Sequence, residues 1–419
     1  MLRRRGDMAP RTSVPALLTQ RPYRMLWTAR TISQWGDAFN TVALVLLVYS
    51  LTGSGLGVSG VVIAEILPVL LLAPLAGSLV DRLPRVQVMI AADLLRAGLA
   101  FALPFVDSHV VPVYLIAIGL SAGAVFFNPA AQSVLPALVK ERELVAANSG
   151  LWTAAVLSQI VLAPLAGIVV AAFGYDWAFW INAASYLVSA AALLRLQVPA
   201  HPARTERSSW YRDAREGLSE LGSHRLLRAL AITQFLAALS AGATGALLVV
   251  LAKDHLGLKD SDYGLLLGAI GVGAAVGPLI LSKITDNPRR PGYVLGPFVL
   301  RGLVDAVLAS ITGLASAMAT LLVYGLGTST GAVTFNSLLQ AEVPEKLRGR
   351  IFATFDMLWQ SGRLISLLLG GIAADLFGIR AVFYLGGALL LIAAWIGWRG
   401  LRQVAPHQPS PSSKPSTTL

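Results

Sequence analysis

Three ionisable residues, Asp37, Glu65 and Arg363, stand inside long apolar stretches of this 419-residue sequence. Such groups cost free energy inside a membrane unless they are paired or face water, so they commonly mark ion or proton pathways. A carboxylate that separates from an arginine in a poorly solvated site takes up a proton, and renewed pairing expels the proton. We interpret these three residues as candidates for proton coupling, and a static ion pair between helices is the alternative.

Polar and aromatic residues in the same stretches are candidates for the lining of a substrate cavity. Their side chains can contact a substrate, or they can hold two helices together through hydrogen bonds or packing. In the first apolar stretch, Gln34 and Asp37 lie on one helical stripe. The cavity candidates are Gln34, Asn128, Gln132, Trp152, Asn336, Gln340, Asp356 and Gln360.

The composition identifies an integral membrane protein, because 55% of the residues are hydrophobic and only 13% are charged. A soluble domain carries about 25% charged residues. The net charge of +11 is typical of Lys and Arg gathered in cytoplasmic loops, so we expect no nucleic-acid partner. There is no cysteine, the five histidines fall in predicted loops or tails, and no Gly-Lys pair provides a phosphate loop. We therefore predict no enzyme activity, catalytic site, metal site or cofactor.

Apolar stretches bounded by charges or by Gly/Pro turns predict an all-α protein with twelve transmembrane helices. The predicted helices are 25–50, 56–79, 87–106, 112–137, 145–172, 177–197, 227–251, 262–284, 294–313, 318–340, 350–374 and 380–400. The predicted domains are a basic arm (1–24), a six-helix half (25–198), a linker (199–226), a second six-helix half (227–402) and a disordered tail (403–419).

The distribution of basic residues predicts the orientation in the cell membrane. If alternate loops are placed outside, Lys253, Lys259 and Arg380 are the only basic residues on that side. The other side holds the remaining loop Lys and Arg residues, so both termini are predicted to be cytoplasmic.

The two halves carry an internal repeat. Six residues recur in register 208 positions later, namely Gly119, Gly123, Asn128, Gln132, Pro136 and Arg142 as Gly327, Gly331, Asn336, Gln340, Pro344 and Arg350. Corresponding loops fall on the same predicted face, which indicates parallel repeats about an axis along the membrane normal. Transporters with this architecture bind substrate between the two halves.

The loop after the second predicted helix reads Gly77-Ser-Leu-Val-Asp81-Arg82-Leu-Pro-Arg85. It resembles the signature loop of the major facilitator superfamily, which lies between helices two and three. The resemblance implies two pseudo-symmetric six-helix halves and transport by alternating access. In that family the acid lies at the positive N-terminus of helix eleven and helps to close the cytoplasmic side, so Gly77, Asp81, Arg82 and Arg85 are predicted gate residues.

Further motifs resemble those of the drug and siderophore exporter branch, which includes enterobactin exporters and macrolide efflux proteins. They include Ser33-Gln-Trp-Gly36-Asp37 and Asp93-Leu-Leu-Arg96-Ala. Asp93 and Arg96, near the cytoplasmic end of helix three, are added to the predicted gate. The fourth predicted helix lacks the arginine that many proton antiporters of the family carry, so the resemblance supports proton coupling less than export.

The resemblance also bears on the three ionisable residues, because helices one, two and eleven are neighbours in this superfamily. Asp37, Glu65 and Arg363 each lie about a dozen residues from the predicted cytoplasmic end of their helix, which corresponds to roughly 18–20 Å. We therefore expect their charges to meet near mid-depth in the membrane.

Together these features predict a monomeric secondary transporter that exports a small organic molecule, drug-like or siderophore-like, in exchange for protons. The alternatives are an uptake or lysolipid-flipping carrier of the same fold, or a non-transporting sensor or assembly protein. A sensor would need an extramembrane output domain, and the longest predicted loop has only about 30 residues.

Replacing Asp81 by Asn tests the predicted cytoplasmic gate. We expect slower transport, because the outward-facing state loses a charge–helix-dipole contact worth about 0.3–1 kcal/mol when exposed and up to ~2 kcal/mol when partly buried. The measurement is substrate transport at matched expression in membranes. Normal transport by the well-expressed variant would contradict a gating role for Asp81.

Overall fold

The computed structural model describes residues 14–80, 82–198, 219, 222, 224–285, 287, 289–343 and 347–402. The described residues form helices and connecting turns, with no strand among them. The predicted tail, most of the predicted linker and the first half of the predicted basic arm lie outside the described residues.

In the described part of the chain, twelve long helices, numbered α1 to α12, form the bundle. They are α1 (Arg21–Thr52), α2 (Gly55–Val80), α3 (Arg85–Ala102), α4 (Val110–Leu138), α5 (Leu144–Phe173), α6 (Tyr175–Leu193), α7 (Arg225–Ala246), α8 (Asp260–Ile284), α9 (Pro291–Leu308), α10 (Leu314–Glu342), α11 (Arg348–Phe377) and α12 (Ile379–Arg402). Each overlaps one of the twelve predicted helices, which confirms the predicted fold class.

Eleven helices of the described chain are long and apolar enough to cross a membrane by themselves, and α6 is the long helix outside that set. The lower hydropathy of α6 has a structural reason, because it packs between α1 and α3. Its polar residues Asn182 and Ser189 are fully buried there. The polar residues of α6 therefore lie in the interior of the N-terminal half, and they do not indicate an extramembrane segment.

The first helix begins earlier than the predicted residue 25, and a short helix, Val14–Leu18, precedes it. Leu17, Tyr23 and Leu26 are completely buried. The Tyr23 hydroxyl donates a hydrogen bond of 2.9 Å to the backbone oxygen of Ala147 at the start of α5. The last part of the predicted basic arm is therefore packed against the bundle.

We call the face where odd-numbered helices end the outer face and the opposite face the inner face, after the predicted orientation. The two halves meet mainly where α5 packs on α8 and where α2 packs on α11. The internal repeat relates α2 to α8 and α5 to α11. It therefore converts the α5–α8 contact into the α11–α2 contact. The paired contacts agree with the parallel repeat that the sequence indicates.

The α5–α8 contact is a seam of small residues. A Cβ atom on Gly264 would lie 2.4 Å from the backbone oxygen of Ala163, and one on Gly268 would lie 2.7 Å from Cγ of Pro164. Glycine at these positions lets the two backbones approach each other directly, as small residues commonly do between membrane helices. The seam covers the outer part of α5, beyond Ile160.

A carboxylate joins the halves at the outer face. Asp375 on α11 accepts hydrogen bonds of 2.6 Å from the Ser54 hydroxyl, 2.6 Å from the Gly55 amide and 3.2 Å from the Leu56 amide. These amides begin α2, so the negative charge lies at the positive end of that helix. We call this contact the outer latch, and a hydrogen bond from Tyr49 to Asp254 joins the halves beside it.

Asp375→Asn is expected to favour opening of the outer face, because it weakens the charge–dipole contact between α11 and α2. A contact of this kind is worth about 0.3–1 kcal/mol when exposed and up to ~2 kcal/mol when partly buried, or roughly a 2- to 30-fold change in the equilibrium. Spin labels on cysteines at the exposed outer-face positions Ser108 and Thr312 would report the distance between the halves by double electron–electron resonance.

The control for this variant is Asp107→Asn, which removes one negative charge from the same face within the N-terminal half. Because the chain contains no native cysteine, the labels report only the two chosen sites. An identical distance distribution in the Asp375→Asn variant and the control would show that the outer latch does not hold the halves together.

Candidate functional site

A network of buried charges occupies the N-terminal half. The Tyr186 hydroxyl on α6 donates a 2.5 Å hydrogen bond to Oδ1 of Asp37 on α1. Arg96 on α3 forms an ion pair with Asp93, and Asp93 also accepts a 2.6 Å hydrogen bond from the Ser189 hydroxyl. The guanidinium of Arg96 lies 4.3 Å from the centroid of the Tyr186 ring.

The positions of Asp93 and Arg96 bear on the predicted gate. Asp93 is fully buried and Arg96 is 3% exposed, so both lie inside the half. Arg96 attracts Asp37 electrostatically. The structure therefore brings these two predicted gate residues together with a predicted coupling residue, in a network that α1, α3 and α6 supply.

The signature loop lies apart from this network. Arg82 is exposed, and Arg85, at the start of α3, has Nη1 3.4 Å from the backbone oxygen of Ser133 on α4. Asp81 lies outside the described residues, as do the side-chain surroundings of Gly77, so the predicted contact with α11 stays a prediction.

Glu65 and Arg363 face each other across the two halves, from α2 and α11. Their opposite charges attract, and Asp37 lies close enough to repel Glu65. Within the described chain the two side chains form no direct ion pair at 4.0 Å or less. Asp37, Glu65 and Arg363 therefore belong to one electrostatic group, although α1, α2 and α11 come from different parts of the sequence.

The C-terminal half contains a second buried cluster, which the sequence analysis missed. Arg301 on α9 is 7% exposed and Asp305, one turn later, is completely buried. Arg301 donates a 3.0 Å hydrogen bond to the Tyr324 hydroxyl, and Ser240 lies 3.4 Å from Oδ2 of Asp305. Both charged residues fall in the predicted helix 294–313, so the criterion that selected Asp37 and Glu65 would have found them.

The predicted cavity residues fall into two groups. Asn336 and Asp356 line a cavity of about 360 Å³ inside the C-terminal half, between α7, α9, α10 and α11. The other candidates lie outside that cavity, and these are Gln34, Asn128, Gln132, Trp152, Gln340 and Gln360.

Several cavity candidates are exposed on the inner parts of their helices. Asn128 and Gln132 on α4, and their repeat mates Asn336 and Gln340 on α10, are all exposed. Trp152 on α5 is 60% exposed, two turns from the inner end of its helix. These exposed polar residues contrast with the seam and the latch, which join the halves towards the outer face.

Two related six-helix halves with ionisable groups between them are typical of membrane transporters. The sequence profile of the transmembrane secretion effector family matches residues 12–416, and the chain belongs to this family of the major facilitator superfamily. This confirms the resemblance that the signature loop and the exporter motifs indicate.

Curated relatives of the chain are transporters. The multidrug efflux pump Tap of Mycolicibacterium fortuitum is 27% identical over 382 residues, which cover 86% of this chain and 91% of the pump. Macrolide efflux protein A of Streptococcus pyogenes is 22% identical over 377 residues, which cover 88% of this chain and 93% of that protein.

Among solved structures, a bacterial homologue of the iron transporter ferroportin in an inward-facing state has the same fold. Its TM-score is 0.73 with 18% sequence identity, over 91% of this chain and 98% of that chain.

Cysteines placed at Gln132 and Gln340 test whether these repeat-related positions face water. We expect both to react with membrane-impermeant maleimides in inside-out vesicles, because the native side chains are exposed on the inner parts of α4 and α10. A cysteine at Leu187, an exposed apolar position in the middle of α6, is the lipid-facing control and should stay unreactive.

A transported substrate should slow the labelling of both cysteines. If both stayed as unreactive as the Leu187 control throughout transport, these glutamines would lie in helix contacts and would not line a cavity.

Proposed function

We propose that the protein exports a small organic molecule from the cytoplasm by alternating access. The observation that carries this proposal is the asymmetry between the faces: the glycine seam and the outer latch join the halves at one end, and polar candidates are exposed towards the other. A substrate would enter from the inner face, and breaking of the latch would release it at the outer face. The likeness to multidrug and macrolide efflux proteins supports the outward direction.

We further propose that the export is coupled to protons through Glu65. Glu65 and Arg363 belong to different halves, so a rocking motion of the halves changes the distance between the two charges. When they separate, the carboxylate loses its compensating charge in an apolar surrounding and takes up a proton. When they approach, the arginine favours the charged carboxylate and the proton leaves. Asp37, which accepts a hydrogen bond from the Tyr186 hydroxyl, links this event to α6.

The alternative is an uptake or lysolipid-flipping carrier of the same fold, because the same two states serve transport in either direction. Substrate-panel susceptibility and accumulation assays in an efflux-deficient host distinguish the directions. Export predicts lower accumulation and greater resistance for at least one compound class, whereas uptake predicts higher accumulation. Unchanged accumulation of every compound would contradict export of the tested classes.

Glu65→Gln is expected to abolish transport driven by a pH gradient in liposomes while exchange at equal pH survives. The amide keeps the size of the side chain and cannot carry the proton. Gradient-driven uptake and equal-pH exchange of a substrate from the panel are the two measurements.

Glu141→Gln, at an exposed site on the inner face, is the matched control and should retain both activities. Gradient-driven transport by the Glu65→Gln variant at the rate of this control would exclude Glu65 as the proton carrier and leave Asp37.

A further inference from the structure

The cavity in the C-terminal half has aromatic walls and one buried charge. Phe298, Phe335 and Phe355 contribute the walls, and Arg301 also lines the cavity. The volume of about 360 Å³ falls within the range of about 300–1,000 Å³ that is typical of small-molecule sites. All of these residues belong to one half, so the cavity differs from a site formed between the two halves.

Arg96 on α3 provides a comparison for Arg301 on α9. Cγ of Arg96 lies against Gly123 of the next helix, and Cγ of Arg301 lies against Gly327 in the same way. In the N-terminal half, two rings approach the guanidinium of Arg96, with Phe127 at 4.8 Å and Tyr186 at 4.3 Å from ring centroid to Cζ. The guanidinium of Arg301 has the Tyr324 ring at 4.7 Å, and no second ring of the described chain lies over it.

The missing second ring has an identifiable reason. Phe127 stands four residues after Gly123, whereas the residue four positions after Gly327 is Gly331, which has no ring. The nearby Phe335 packs against Phe298 and Phe355, with ring centroids 6.4 Å and 5.7 Å apart. The place that Phe127 fills beside Arg96 is therefore open beside Arg301, where Gly331 lines the cavity.

Hydrogen-bonding capacity adds a polar requirement. The Nε atom of Arg301 is buried without a hydrogen-bond partner among the described residues, and a buried donor of this kind favours an oxygen acceptor. Asp305 attracts Arg301 electrostatically, which reduces the need for a negative ligand. Asp356, an exposed residue of the lining, repels carboxylates and attracts amines.

We propose that this cavity binds the aromatic part of the substrate, with a neutral flat ring stacked on Arg301 opposite Tyr324. An oxygen on a flexible chain attached to the ring accepts a hydrogen bond from Nε of Arg301, and an amine on the same chain extends towards Asp356. Arg301 is then a residue that determines specificity for aromatic amphiphiles. This inference rests on the proposed function and names the substrate class of the same transporter.

Binding of tritiated propranolol to the purified full-length protein in detergent tests the inference. Propranolol has a neutral naphthalene ring and a flexible side chain that carries a hydroxyl oxygen and a secondary amine. Its ring-saturated decahydronaphthyl analogue keeps the oxygen, the amine and the charge but cannot stack. We expect the analogue to compete at least about tenfold more weakly, because a desolvated cation–π contact of this kind is lost.

Two variants locate the binding. Arg301→Lys keeps the charge without the planar group, so we expect it to remove the preference for the aromatic compound. Ala332→Phe places a ring in the cavity from a position with an exposed side chain, so we expect at least about tenfold weaker binding because the new ring occupies the space of the ligand. Ala124→Phe, at the repeat-related position in the N-terminal half, is the matched control and should bind propranolol normally. If Arg301→Lys does not fold, the comparison of Ala332→Phe with Ala124→Phe still tests the inference.

Three results would overturn the inference: no binding of propranolol up to its solubility limit, equal competition by the saturated analogue, or equal binding by Ala332→Phe and Ala124→Phe. These assays need no gradient and no movement of substrate. Binding without export in cells would therefore contradict the proposed function alone, whereas export without aromatic preference would contradict this inference alone.

Discussion

The structure depends on the free energy of placing charges inside an apolar bundle. Ionisable groups at membrane depth must find partners within the protein, and here each half solves the problem with an arginine stacked on a tyrosine. Arg96 is compensated by Asp93 and Asp37, and Arg301 by Asp305 and the Tyr324 hydroxyl. Glu65 and Arg363 differ, because each has its main electrostatic partner in the other half. Their compensation therefore depends on the relative position of the halves.

Much of the fold follows from the sequence, because hydropathy and turn residues fix the number and the approximate ends of the helices. α6 was found from its position between turns, although its buried Asn182 and Ser189 lower its apolar character. The internal repeat gave the relation between the halves, since glycines such as Gly123 and Gly331 mark positions where helices approach. The family match then follows from the signature loop and the exporter motifs.

The site was only partly predictable, for physical reasons. Glu65 and Arg363 can be identified from the sequence alone, because each is a charged residue within an apolar stretch. Tyr186 cannot, since a tyrosine in a helix has many uses and its contact with Asp37 depends on how α1 and α6 pack. The outer latch could not be predicted from the sequence for the same reason. An acid near a helix end, such as Asp375, is common, and its contact with the Gly55 amide depends on how α2 and α11 pack. Arg301 and Asp305, in contrast, stand inside the predicted helix 294–313 and are recognisable from the sequence by the same criterion as Glu65.

The glycine seam between α5 and α8 has a consequence for the mechanics of the molecule. Where Gly264 and Gly268 meet Ala163 and Pro164, the two surfaces have no long side chains that interlock. Smooth surfaces of this kind can roll over each other with little change in packing, whereas interdigitated side chains must leave one set of gaps before they enter another. The seam therefore provides a fulcrum of fixed separation, about which α5 and α8 can tilt while their backbones stay in contact. Since the fulcrum lies towards the outer face, a small tilt there produces a larger displacement at the inner face.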